Sequence, residues 1–216
     1  MGLILTIILF IIFIKLKLKC PIMVSVGISI ILILKIFKLD YSTYNETASI
    51  LSFLIAPATI ALAYPLYKNY HILLKNKRAL YPGLFIATIT ALISTYICAR
   101  LFRADFNVIM SLLPKSTTMP IALVISKSIN GISELTAVIV AMTGIFGGIF
   151  GHKILKFLKV KNDVAIGLAL GSASHVIGTA ACANRKKDKQ IAASTIALIL
   201  VGLLSAIIIP LLKNYY

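Results

Sequence analysis

Val164 to Ala183 reads VAIGLALGSASHVIGTAACA, an apolar stretch about long enough to cross a membrane, with a histidine in its middle. A bilayer core takes ~20 apolar residues per helix, and an ionisable side chain inside one is costly. The centre, Gly171-Ser-Ala-Ser-His175-Val-Ile-Gly178-Thr179, is small, polar and punctuated by glycine. Backbone groups freed at that depth are tolerated only when buried in protein or facing a water-filled cavity. The stretch therefore predicts a helix broken near Gly171 and Gly178 that lines a polar site. That pattern points toward transport.

The rest of the chain has the composition of a membrane protein. Its 216 residues are 60% hydrophobic with a mean hydropathy of +1.01, against ~45–50% apolar residues in soluble domains. The expected architecture is an all-α, polytopic transmembrane bundle of about seven or eight spans in one domain over residues 1–216, placed in the plasma membrane. The formal charge is +16, from 22 basic and 6 acidic residues. Nucleic-acid binding is one reading of such an excess. Here the cations sit in short loops between apolar runs, so anionic lipid headgroups are the expected partner and nucleic acid is not. Cys20, Cys98 and Cys182 lack metal-ligand spacing, and His71, His152 and His175 lie in different segments, so neither a metal nor a cofactor is implied. Enzyme chemistry is poorly served. The few acids form no obvious intramembrane pair, and Ser174 and His175 are sequence neighbours, poor geometry for a nucleophile and its base.

Along the chain, Leu3–Ile14 is a short apolar run, and Ile22–Leu39 can span. Ala48–Tyr67 carries Pro57 and Pro65, which predicts a discontinuous helix. Leu80–Phe102, Leu135–Leu158 and Ile191–Leu212 read as plain spans, and Phe106–Ile129 as a span interrupted by Pro114-Lys-Ser-Thr-Thr-Met-Pro120. Ala48–Phe102 and Val164–Leu212 share a layout of interrupted segment, basic loop and plain span. An odd number of crossings between the two interrupted segments would make them an inverted repeat, a recurring carrier design. On this path the basic residues divide almost evenly between the two faces, so the positive-inside rule gives no orientation.

The proline-flanked motif is the second chemical signal. Pro114 and Pro120 break the helix, Lys115 supplies a positive charge, and Ser116, Thr117 and Thr118 supply hydroxyls. A helix starting near Thr117–Pro120 would add its positive dipole end, and the set suits a small organic anion such as a carboxylate. His175, with Ser174 and Thr179 beside it, is expected to bind that anion or relay a proton. Glu134, at the start of a span, is read as a helix-start acid and as a second candidate for proton coupling. Gly144, Gly147, Gly148 and Gly151, with Gly167 and Gly171, are spaced for close helix packing.

These motifs resemble the CidB/LrgB family of bacterial membrane proteins. The resemblance rests on Pro57-Ala-Thr-Ile-Ala-Leu-Ala-Tyr-Pro-Leu-Tyr-Lys68, Ser111-Leu-Leu-Pro-Lys-Ser-Thr-Thr-Met-Pro-Ile-Ala122, Leu135-Thr-Ala-Val138 with Thr143-Gly144, and Gly167-Leu-Ala-Leu-Gly-Ser-Ala-Ser-His-Val-Ile-Gly-Thr-Ala180. It runs from about Ser49 to the C-terminus, with residues 1–39 less characteristic. The resemblance implies either a carrier of a small monocarboxylate of the pyruvate, glycolate or glycerate kind, or an antiholin-like regulator of murein hydrolase activity and cell lysis. In the second role it implies a small CidA/LrgA-like membrane partner. Self-association into a homo-oligomer is compatible with both. One departure stands out: Ala181 occupies a position where the family usually has Arg, and the following turn, Asn184-Arg-Lys-Lys-Asp-Lys189, is basic rather than acidic.

Overall fold

The structure is a computed structural model that describes residues 2–16, 22–54, 57, 60, 63–68 and 70–212, and every regular element among them is helical. The chain divides into two compact units, Met1–Ile60 and Ala61–Tyr216, where the sequence suggests one domain. Pro57 is helical, but residues 55–56 and 58–59 on either side of it lie outside the described residues, as does Cys20. The break expected at Pro57 falls among them.

The first unit holds α1 (Gly2–Leu16), α2 (Ile22–Ile36) and α3 (Tyr41–Phe53). Helix α1 packs on both of the others. Thr6 Oγ1 donates to the Gly2 carbonyl and lies 2.8 Å from the Tyr44 hydroxyl, which ties α1 to α3. At ~1.5 Å per residue, 15 residues make ~22 Å, short of a ~30 Å hydrocarbon core.

The second unit carries α4 (Ala63–Lys68), α5 (Tyr70–Leu101), α6 (Phe106–Leu112), a 3₁₀ turn (Leu113–Ser116), α7 (Met119–Ser128), α8 (Ser133–Phe157), α9 (Asp163–Ala183) and α10 (Asp188–Leu212). Among the described residues four helical stretches are long and apolar enough to cross a membrane: Leu74–Leu101, Ser133–Phe157, Asp163–Ala183 and Asp188–Leu212. That is fewer than the seven or eight spans expected from hydropathy.

Contacts across the chain explain the reduction. In a straight helix, residues 21 positions apart are ~30 Å apart. Ile132 N nevertheless donates to Ser111 Oγ at 2.6 Å. Ile109, Met110 and Leu113 share one apolar cluster with Ile125 and Ile129. The chain therefore enters along α6, turns at residues 113–118 and returns along α7. This is a re-entrant hairpin, not the interrupted crossing expected for Phe106–Ile129. Thr136 Oγ1, 2.7 Å from Ser126 Oγ and 3.0 Å from the Ser111 carbonyl, fastens the hairpin to the start of α8.

Helix α9 also doubles back. His175 sits at φ 41°, ψ −129°, between two helical arms at 163–174 and 176–183. Gly178 lies directly against the Leu170 carbonyl, which a straight helix would hold ~12 Å away. At the open end of this hairpin, Gln190 Nε2 donates to Asp163 Oδ1 at 2.7 Å, and Gln190 Oε1 lies 3.1 Å from His152 Nε2. The first arm runs parallel to α10, with Gly167 against Gln190 and Ala193 and Gly171 against Ser194.

The direction of each span follows. Leu80 and Leu84 pack with Ile196, Ala197 and Val201, while Leu92 and Ala99 pack with Ile209, so α5 and α10 run parallel. Helix α8 runs against them. It starts at the base of the first hairpin and ends beside the start of α10. The unit thus contains two copies of one plan, a re-entrant hairpin followed by a long helix: α6–α7 with α8, and α9 with α10. The two hairpins enter from opposite faces. The inverted pair is therefore Phe106–Phe157 with Asp163–Leu212, not the pairing of Ala48–Phe102 with Val164–Leu212 drawn from the sequence.

Candidate functional site

The two hairpin tips converge. The turn Leu113–Ser116 packs on α5, α8, α9 and α10. Beside it a cavity of about 760 Å³ opens, bounded by α5, the turn, α8 and the first arm of α9. Its polar groups come from all four elements: Thr90 and Ser94, Lys115 and Ser116, Thr143, and Ser172 and Ser174. Among the described residues no carboxylate lines it, so Lys115 is an unbalanced positive charge at its wall. Lys115 Nζ lies 3.4 Å from Ser116 Oγ, and Ser116 is 7% exposed.

The first tip is built by its prolines. Pro114 enters the 3₁₀ turn at its first positions. Thr117 (φ −100°, ψ 175°) and Thr118 (φ −72°, ψ 149°) are then extended, and Pro120 sits in the first turn of α7, where its missing N–H costs nothing. Thr117 Oγ1 donates to the Pro114 carbonyl at 2.9 Å, so its hydroxyl is spent on the turn. Thr118 is the N-cap of α7, yet its side chain accepts no capping hydrogen bond. Thr118 is 2% exposed, and its Oγ1 is the one buried side-chain polar atom without a partner among the described residues. A buried unsatisfied hydroxyl costs ~1–3 kcal/mol.

The second tip is built by one residue. Non-glycine residues rarely adopt positive φ, and such a conformation persists only when its surroundings over-determine it. Here they do. His175 is 5% exposed and its Nε2 lies 3.0 Å from the Val140 carbonyl of α8. A carbonyl only accepts, so Nε2 carries the hydrogen. Thr179 Oγ1 donates to the His175 carbonyl at 3.1 Å. The α8 glycines make room for all of this. A Cβ at Gly144 would fall 2.7 Å from His175 Cε1 and 2.8 Å from Ile177 Cδ1, one at Gly147 would overlap Ser174 Oγ, and one at Gly151 would overlap Leu170.

Of the residues singled out in the sequence, Lys115, Ser116 and Ser174 meet in the cavity. Thr117, Thr118, His175 and Thr179 belong to the tips but do not line it. Glu134 is exposed in the first turn of α8 and outside the cavity, as its reading as a helix-start acid requires and its reading as a coupling residue does not. Gly171 and Gly178 are not the break points, since no glycine has positive φ. The chain turns at His175, and both glycines allow backbones to touch. Ala181 is half-buried and, like Arg185, which is exposed, does not line the cavity. Thr90 and Ser94 were missed. They are hydroxyls one helical turn apart on α5, in a span with no helix breaker or charge beside them to mark a site.

No solved structure matches the chain. "Uncharacterized protein YxaC" of Bacillus subtilis (strain 168) is 34% identical over 178 residues, 82% of this chain and 77% of that protein. The model of the LrgB-like family matches residues 5–215, further toward the N-terminus than the motifs alone reach, and the chain belongs to that family.

Proposed function

We propose that the protein carries a small monocarboxylate across the plasma membrane, coupled to protons. The observation that carries this reading is one cavity in which Lys115 and Ser116 of one hairpin tip meet Ser174 of the opposed one. Lys115 attracts the carboxylate, and the hydroxyls of Ser116 and Ser174, with Thr90, Ser94 and Thr143 around them, hydrogen-bond its oxygens. Broken segments meeting between inverted repeats are how carriers build a site that either face can reach. Membership in the LrgB-like family supports the membrane setting without naming a solute. Regulation of murein hydrolases beside a small CidA/LrgA-like partner is the second reading. It needs helix-packing surfaces rather than a polar cavity, so the cavity favours the carrier.

The hairpins also give an orientation. In the second unit, Lys68, Lys75, Lys77, Arg78, Lys153, Lys156, Lys159, Lys161, Arg185, Lys186, Lys187 and Lys189 fall toward one face, and Arg100, Arg103 and Lys127 toward the other. A bias of that size orients a membrane protein. We place the α8–α9 and α9–α10 loops in the cytoplasm, which roots the Lys115 hairpin on the outside and the His175 hairpin on the inside.

Import of an anion against a negative-inside potential is uphill by ~2.3 kcal/mol per charge per 100 mV, and proton symport removes that penalty. We assign the proton to His175. Its Nε2–H donates to Val140 in both charge states, so Nδ1 is the nitrogen that gains and loses it. Counterflow in liposomes holding the purified protein, with pyruvate, lactate, glycolate and glycerate, tests the carrier. Absence of saturable exchange of any of them ends the reading. Uptake driven by an imposed pH gradient tests the relay, and continued accumulation by His175→Gln removes it.

A further inference from the structure

The cavity is larger than its polar groups need. At about 760 Å³ it falls in the range of ~300–1,000 Å³ that drug-sized ligands fill, and an acid of about six heavy atoms is several-fold smaller than those. The excess is not spread evenly. The register of α8 on α9 sets Gly147 against Ser174 and, one turn further toward the basic face, Gly151 against Leu170. Beyond Ser172 the wall consists of Gly151, Ile154, Leu155, Ala169 and Leu170 and offers no polar side chain. A single cation and a ring of hydroxyls thus give way, along one continuous space, to an apolar section.

From this we infer that the site takes monocarboxylates with an apolar tail, 2-oxo or 2-hydroxy acids of about five or six carbons among them, in preference to two- and three-carbon acids. The inference rests on the carrier reading only for its anionic end. The carboxylate meets Lys115 and Ser116, an oxygen on the second carbon finds the hydroxyls, and the tail lies along α8 and the first arm of α9. Each methylene moved from water into an apolar wall is worth ~0.8 kcal/mol, about a three- to fourfold gain in affinity.

Ligand-induced thermal stabilisation of the full chain in detergent reads binding without requiring transport. The probes are pyruvate, 2-oxobutanoate, 2-oxopentanoate and 4-methyl-2-oxopentanoate, with the carboxamide of the last as a neutral control of equal tail. Half-saturating concentrations should fall about three- to fourfold per added carbon, and the carboxamide should not stabilise. Ala169→Leu, which fills the apolar section, should flatten the series. Should that variant not fold, Leu155→Ser, which makes the wall polar, should do the same. A flat series, no stabilisation by any acid, or equal stabilisation by acid and carboxamide (a groove for lipid chains) overturns the inference. Chain-length-dependent binding without counterflow of any acid of the series would leave it standing and end the carrier reading instead.

Discussion

The two hairpins reach the same place by opposite means. The α6–α7 hairpin is interrupted by sequence: two prolines, an extended Thr117-Thr118 pair and polar atoms left over, one of them an unpartnered buried hydroxyl. The α9 hairpin is interrupted by its surroundings: one histidine at positive φ, held by the Val140 carbonyl and by glycines on α8, with its own carbonyl bound by Thr179. The first tip has chemistry to spare, whereas most polar groups of the second are engaged in its own fold. Between inverted copies of one plan, this is a division of labour: the first tip brings the charge to the cavity, and the second adds Ser174 from a backbone held by its surroundings.

The contrast fails most visibly at the helix contacts. A Cβ at Gly171 would overlap the Ser194 carbonyl and lie 2.7 Å from Ser194 Cα, and backbone atoms cannot step aside as a side chain can. Gly171→Val should lose ~3 kcal/mol or more and leave little folded protein. Ser126→Ala, at the base of the first hairpin, gives up one hydrogen bond near Thr136, ~1 kcal/mol. Thermal midpoints in detergent compare the two, and a wild-type midpoint for Gly171→Val would show that α9 and α10 do not touch as described.

Function should divide the other way. Lys115→Ala is expected to reduce uptake at least tenfold while leaving the midpoint near wild type, because its ammonium bonds only its neighbour Ser116. Lys115→Arg is not expected to restore it, since a planar fork replaces a compact charge. Reconstitution at matched protein levels decides, and normal uptake by Lys115→Ala would remove Lys115 from the site.

What was legible in the sequence follows the same division. Pro114 and Pro120 announce a break because proline acts on its own backbone, so the first tip and its Lys115-Ser116 pair were readable. The return of the chain was not, because helices entering and leaving a membrane have the same composition. That error carried through the topology. Counting Phe106–Ile129 and Val164–Ala183 as crossings scattered the basic loops over both faces, whereas folding each back gathers most of them on one. The glycine spacings were read correctly as packing, yet Gly171 and Gly178 were also taken for the break. The actual break falls on His175, whose conformation is imposed by Val140 and Gly144, some 30 residues away.

That imposed conformation makes a smaller, more pointed prediction. In an ordinary helix interior Ala is favoured over Gly by ~1 kcal/mol. At φ 41° the order should invert, with His175→Gly more stable than His175→Ala by about 1 kcal/mol, because only glycine adopts that region without strain. Both variants lose the bond to Val140, so their difference isolates the backbone. Chemical denaturation of the pair reads it, and the usual order would mean that α9 passes straight through.

The smallest effect belongs to Thr118, where stability and function should part company. Its buried Oγ1 has no partner, whereas Thr117 Oγ1 is bound to the Pro114 carbonyl. Valine has nearly the shape of threonine without the hydroxyl. Removing an unpaired polar atom from a buried position is neutral or stabilising, and removing a paired one leaves its partner unsatisfied. Thr118→Val should therefore match or exceed the wild-type midpoint, by up to ~1 kcal/mol, and Thr117→Val should fall below it by a similar amount. If the spare hydroxyl is kept because the ligand or its water uses it, Thr118→Val will bind and transport the acid severalfold more weakly despite being the more stable protein. A Thr118→Val protein that is destabilised would show that its hydroxyl is paired after all. One that transports normally would confine the first tip's contribution to Lys115 and Ser116.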